Sequence, residues 1–178
     1  MSVGQRRQIL IRFVELWRQH TSHLAHLESL NNGSSINVQS YIVRDLEKEM
    51  WYHIGHMDKL AGALAVSTSD DRVDDYHIFN RLEPIGVCAI IVPWNLPLWC
   101  LMVKVLPALA CGNTLVVKPS EYTPLTALFV AKLLRQAGLP SGVFNVVNGY
   151  GSDVGSALSA HPLVRKIAFT GSTMVGRL

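Results

Sequence analysis

The chain of 178 residues carries 16 Lys and Arg against 13 Asp and Glu, a net charge of +3 with histidine neutral. The length suggests one domain, or one domain plus an appendage. With 49% hydrophobic and 16% charged residues, and only 13 Gly and 8 Pro, there is apolar material for a packed core, which excludes a disordered, collagen-like or low-complexity chain. The basic residues are scattered rather than clustered, so nothing electrostatic supports nucleic-acid binding. Cys88, Cys100 and Cys111 form no CxxC pair, and the polar opening Met1-Ser2-Val3-Gly4-Gln5-Arg6-Arg7 has no signal-peptide character. A reducing, cytoplasmic setting is the expectation. The apolar stretch 84–111 is broken by Pro93, Asn95, Pro97, Lys104 and Pro107. It falls short of the ~20 continuous apolar residues of a bilayer span, so it is read as core and no membrane partner is expected.

Ser2 followed by Gln5 has the form of a capping box, and Leu10, Phe13, Val14 and Trp17 then fall on one face of a first helix. A shorter helix carries Leu24 and Leu27 and stops at Asn31-Asn32-Gly33. Ser34 or Ser35 caps a third. On it Val38, Ile42, Leu46, Met50, Ile54, Met57, Leu60 and Leu64 keep a helical period, weakened at Gly55. Residues 67–75 are polar and acidic, an exposed connection. Residues 76–82 look extended, and Glu83-Pro84 with Gly86 reads as a bend.

From Val87 the texture changes. Short β-branched runs at 87–92, 114–117, 143–147 and 165–169 alternate with helix-like stretches at 98–109, 124–136 and 152–159. Strands without polar alternation suit a parallel sheet covered on both faces, so the fold class is α/β, doubly wound. In such a sheet the carboxyl ends of the strands form the ligand-binding edge, and four segments sit there.

In Val92-Pro93-Trp94-Asn95-Leu96-Pro97 two prolines stiffen a loop whose Asn95 amide is a neutral donor for a developing oxyanion. The competing reading is an asparagine bonding its own turn. In Lys118-Pro119-Ser120-Glu121 a cation and a carboxylate three apart could hold vicinal ribose hydroxyls. The competing reading is a surface ion pair at a helix start, with Ser120 or Thr123 as cap. Asn148-Gly149-Tyr150-Gly151-Ser152 would let backbone approach a ligand, with Ser152 capping the next helix, or is simply a tight turn. Phe169-Thr170-Gly171-Ser172 leads into a helix start suited to pyrophosphate, with Ser172 adding a hydroxyl donor. That segment is neither a GxGxxG fingerprint nor a Walker loop.

Taken in order, Glu83-Pro84-Ile85-Gly86-Val87, Pro93-Trp94-Asn95-Leu96-Pro97, Pro107-Ala108-Leu109-Ala110-Cys111-Gly112-Asn113, Val117-Lys118-Pro119-Ser120-Glu121 and Phe169-Thr170-Gly171-Ser172 resemble successive signatures of the aldehyde dehydrogenase superfamily. The resemblance is firm over 81–176 and softer over the helical first third. It implies part of a Rossmann-like doubly wound sheet. Residues 1–75 would be the helical part of the cofactor-binding domain, 76–86 an extended oligomerisation-type arm, and 87–178 a truncated NAD-binding region. It also implies NAD-dependent oxidation of an aldehyde to an acid, in a full-length protein that is a homo-oligomer.

Residue by residue, Asn95 matches the family's oxyanion donor, Lys118 and Glu121 its ribose contacts, and Ser172 its pyrophosphate contact. Val92, Pro93, Trp94, Gly151 and Gly171 match other cofactor-loop positions. Lys104 matches a lysine near the catalytic centre, against the reading of a core-edge lysine reaching solvent. Glu121 would repel a 2′-phosphate, which favours NAD over NADP. The family's nucleophilic cysteine and general-base glutamate fall after Leu178, so the catalytic domain is expected to be absent and this chain inactive alone. Cys88, Cys100 and Cys111 read as small buried hydrophobes. The alternative is a non-catalytic truncated isoform or pseudo-subunit that binds nucleotide or pairs with full-length subunits. No metal site is expected: His20, His23, His26, His53 and His56 read as a solvated face, and Trp17, Trp51 and Trp99 as packing residues.

Overall fold

The computed structural model describes residues 1–62, 64–65 and 78–177. Helix α1 (Val3–Gln19) begins as its sequence dictates: the Ser2 hydroxyl accepts from the Gln5 N–H at 3.2 Å and the Gln5 side chain accepts from the Ser2 N–H at 2.8 Å. This closed box satisfies two amide hydrogens that a helix start leaves over. Leu10, Phe13, Val14 and Trp17 are buried on one stripe. Trp17 packs edge-on against Phe13 and donates its indole N–H to the Val43 carbonyl at 3.0 Å. Helix α2 (Thr21–Asn32) ends at Gly33, whose φ of 77° is left-handed and costs a residue without Cβ nothing.

Helix α3 (Ile36–His56) is capped by Ser35 and buries Val43, Leu46, Met50 and Ile54. It stops there rather than running on through Leu60 and Leu64. The Lys59 ammonium takes the Gly55 carbonyl at 2.6 Å, the Lys59 N–H takes that of His56, and Leu60 is 54% exposed. Leu64 instead belongs to β1 (Leu64–Ala65), antiparallel to β2 (Ile78–Phe79). The acidic connection 67–75 lies outside the described residues.

The remaining strands are β3 (Val87–Ile91), β4 (Thr114–Lys118), β5 (Phe144–Val146) and β6 (Val164–Phe169). They form one parallel sheet in the order β5-β4-β3-β6. Between them run α4 (Pro97–Ala110), α5 (Leu125–Gln136), α6 (Ser156–Ala160) and, last, α7 (Thr173–Gly176). Helix α4 contacts β3 and β4 as well as α1, α2 and α3, and buries Leu98, Leu101, Met102, Val105, Leu106 and Leu109. The apolar stretch 84–111 is therefore a strand and a core helix. No described helix is long and apolar enough to cross a membrane. The helix expected over 152–159 is a π-helical turn, Gly151–Gly155, that runs into α6. Ser152 does not cap it; its hydroxyl bonds Asp153 at 3.3 Å.

Candidate binding site at the carboxyl edge of the sheet

Register sets the geometry of the edge. Ile91 pairs with Lys118 on one side and Phe169 on the other, so β3, β4 and β6 end level. The Val92 N–H then donates to the Lys118 carbonyl at 3.2 Å, Thr170 N–H to Ile91 at 3.0 Å, and Val147 N–H to Val117 at 2.8 Å. All four loops thus leave the sheet from a common, hydrogen-bonded rim.

In the loop after β3, Val92 is buried, Pro93 half-buried, and Trp94 60% exposed. Asn95 is exposed, and among the described residues its side-chain amide has no hydrogen-bond partner; only its backbone carbonyl is held, by Asn32 Nδ2 at 3.3 Å. The amide does not satisfy its own turn. In the loop after β4, Lys118 is 3% exposed, donates to the Pro119 carbonyl at 3.1 Å, and lies 3.5 Å from the Glu121 carboxylate. This is no surface ion pair: the ammonium is inside while the carboxylate side chain remains 33% exposed. An ammonium has three donors, and here one carbonyl and one carboxylate engage it.

Neither Ser120 nor Thr123 caps the helix that follows. Ser120 accepts from Tyr122 N–H at 3.4 Å within the turn, whereas Leu125 N–H, at the start of α5, is taken by Asn31 Oδ1 at 3.1 Å. After β5, a Cβ on Gly149 would lie 2.4 Å from the Val154 side chain, but one on Gly151 would meet no protein atom within 4 Å. Gly149 is therefore required by packing, and Gly151 opens onto free space. After β6, a Cβ on Gly171 would strike the Phe169 ring at 2.4 Å. Ser172 Oγ caps the short α7 by accepting from Val175 N–H at 3.3 Å, which leaves its own proton to donate. Lys104 is half-buried. Its ammonium spans Cys100 O at 3.1 Å and Thr170 Oγ1 at 2.6 Å, tying α4 to the loop after β6.

One residue that sequence reasoning passed over underlies this edge. Glu28 is 1% exposed, and its Oε1 accepts from Leu98 N–H at 2.8 Å while Oε2 accepts from Asn31 Nδ2 at 3.2 Å. Burial pushes its pKa up, opposed by the hydrogen bonds from Leu98, Thr126 and Asn31. The available signal was its place on the face of α2 that also carries Leu24 and Ala25. Of the cysteines, Cys88 lies in β3, Cys100 in α4 and Cys111 at the α4 C-cap; burial raises the pKa of Cys88 and Cys100. The His20 and His23 rings rest against Phe129, and no described group of His, Cys, Asp and Glu could hold a metal. A cavity of 250 Å³ exists at the other end of the sheet, where β4 begins, walled by Ile9, Leu10, Pro84, Leu109 and Val143. Its Arg6 is bonded to the Met1 and Ala110 carbonyls. The convergent polar groups are at the carboxyl edge instead.

Parallel strands in the order β5-β4-β3-β6, joined through helices, make this an α/β unit of the doubly wound kind. The chain belongs to the aldehyde dehydrogenase family, whose profile matches residues 1–178. It is 47% identical over 176 residues to the retinaldehyde dehydrogenase 3 of Mus musculus, covering 97% of this chain and 33% of that protein. The crystal structure of PnpE in complex with nicotinamide adenine dinucleotide superposes with a TM-score of 0.93 at 40% identity, covering 99% of this chain and 36% of that one. The NAD-dependent aldehyde dehydrogenase from Sinorhizobium meliloti gives a TM-score of 0.92 at 37% identity, covering 99% and 34%. The chain thus spans about one third of the length of the relatives it matches.

Proposed function

We propose that this chain is the cofactor-binding portion of an aldehyde dehydrogenase that oxidises an aldehyde to its carboxylic acid with NAD. The observation that carries the reading is the buried Lys118 ammonium 3.5 Å from Glu121, at the carboxyl end of β4. The residues present fit the group: a donor and an acceptor side by side suit a vicinal diol, the Ser172 hydroxyl has a proton to give, and Gly151 leaves open space. When bound, NAD supplies the hydride acceptor.

The chain's own part is binding and polarisation. Lys118 donates to, and Glu121 accepts from, the ribose hydroxyls, and the Glu121 charge disfavours a 2′-phosphate, so NAD is preferred to NADP. Ser172 donates to the pyrophosphate, with Gly171 at that turn and Val92, Pro93 and Trp94 forming the rim beside it. Asn95 Nδ2 donates to the aldehyde oxygen as negative charge develops there, without changing its own protonation. Lys104 serves this arrangement by holding Thr170 against α4. The free thiols Cys88, Cys100 and Cys111 support a reducing, cytoplasmic setting, and a homo-oligomer is proposed for the longer protein.

Cys88 and Cys100 sit where burial raises the pKa, the opposite of a reactive thiolate's environment, and Cys111 closes a helix end. The 178-residue chain is accordingly expected to bind NAD without turning over, and NADH above blank on mixing it with NAD and aldehydes would overturn that. For the binding itself, titration calorimetry of the chain with NAD decides. Glu121→Ala with Ser172→Ala is expected to weaken affinity at least about tenfold, the scale of losing one charge-assisted hydrogen bond. Unchanged affinity in the double variant would remove the assignment.

A further inference from the structure

We propose that Glu28 and Asn32, in the last turn of α2, are positioning residues that set where the Asn95 amide stands; the proposal rests on reading Asn95 as the polarising donor. Asn95 sits in a five-residue loop, and with no partner on its side-chain amide its placement comes from the backbone. One end of the loop is fixed by the sheet through Val92 N–H and the Lys118 carbonyl. The other end is the start of α4, which the local sequence leaves unsecured: Leu96 at the N-cap offers no acceptor, and Pro97 has no N–H. Leu98 N–H is among the donors this helix start leaves over, and its acceptor is Glu28, 70 positions earlier. Asn32 Nδ2 holds the Asn95 carbonyl itself at 3.3 Å. The two bonds that bracket Asn95, at its carbonyl and at Leu98 N–H, therefore both come from one turn of α2.

A buried carboxylate is a costly way to cap a helix. A Ser, Thr or Asp at position 96 would do so locally, but it would not register α4 against α2. Asn31 makes the anchor rigid, since its amide hydrogens are shared among Glu28 Oε2, Thr126 Oγ1 and Thr123 O. Its Oδ1 holds Leu125 N–H, fixing the far end of the Lys118–Glu121 loop as well. One helical turn thus aligns the polarising amide with the sugar-binding pair.

The test is amide exchange and side-chain NMR on the isotope-labelled 178-residue chain. In Glu28→Ala, Leu98 N–H is expected to exchange at least about tenfold faster, as for an amide stripped of its acceptor. The Asn95 side-chain NH₂ resonances are expected to shift or broaden, while amides of Met50 and Leu133 keep their protection. Glu28→Gln, which retains an oxygen facing Leu98, restores both. Asn32→Ala, at a half-exposed site, moves the Asn95 resonances and leaves Leu98 protected; it decides the matter if Glu28→Ala does not fold. Asn95 resonances at their wild-type positions in Asn32→Ala, or in a folded Glu28→Ala, would overturn the proposal. An unmoved NAD affinity in the Glu121→Ala, Ser172→Ala variant would sink the cofactor reading and leave these resonances untouched, so the two failures are separable.

Discussion

Glu28 and Lys118 are both charged and both inside, and each survives there because polar groups surround the charge. They differ in what the protein asks of them. Lys118 has beside it a carboxylate that reaches solvent. Glu28 is sealed, and burial raises its pKa above the ordinary 4.5. A carboxyl raised on folding contributes most below 4.5, and that contribution is lost as pH climbs from there through the folded-state value. Urea melts of wild type and Glu28→Gln should therefore show wild type losing stability relative to the variant as pH rises from below 4.5 toward neutrality; parallel curves would refute this. Trp17, fully buried and bonded to Val43, is expected to cost ~3–5 kcal/mol on Trp17→Ala, read in the same melts. That Asn95, Lys118, Glu121 and Ser172 stand on the carboxyl edge of the sheet was legible, because each lies at or just after the end of a β-branched run. Glu28 was not, since a glutamate in a helix is unremarkable until its partner, far along the chain, is known.

Helix starts divide into those written locally and those that are not. The Ser2–Gln5 box and a serine cap for α3, which the structure assigns to Ser35 of the pair Ser34 and Ser35, were readable from neighbouring residues. The starts of α4 and α5 were not, because Leu96 and Pro124 cannot cap and the acceptors come from Glu28 and Asn31, 70 and 94 positions earlier. Substitution should separate the two kinds. Ser2→Ala is expected to cost ~1 kcal/mol. Asn31→Ala is expected to cost more, ~2–3 kcal/mol, because it takes a partner from the buried Glu28 and Thr126 as well as from Leu125 N–H. Thermal or urea unfolding of both ranks them. The overextended α3 has a similar origin: periodicity records which residues are apolar, and the extent of a helix also depends on what it meets.

At the scale of the molecule, the sequence implied a parallel α/β sheet through its alternation of apolar strands and helices. The order β5-β4-β3-β6 was beyond it, because β6 lies beside β3 with β4 and β5 on the other side, a long-range choice that no local pattern records. That order makes β6 an edge among the described residues, with Leu163, Ile167, Met174 and Val175 exposed on it and next to it. An open edge with apolar neighbours invites association. Ile167→Lys is expected to lower the concentration dependence of the sedimentation coefficient of the 178-residue chain, and an unchanged dependence would show that this edge is not where copies meet.

The tether of two loops to the end of α2 also limits how the gene can vary. Each residue added to a helix rotates all later side chains by about 100° around its axis. A single codon inserted between Glu28 and Asn31 would swing carboxylate and amide out of phase, releasing the Asn95 loop and the Lys118–Glu121 loop in one step. Length changes should be survivable after Gly33 and ruinous just before it, and a codon-by-codon insertion scan scored by retained NAD binding would draw that boundary.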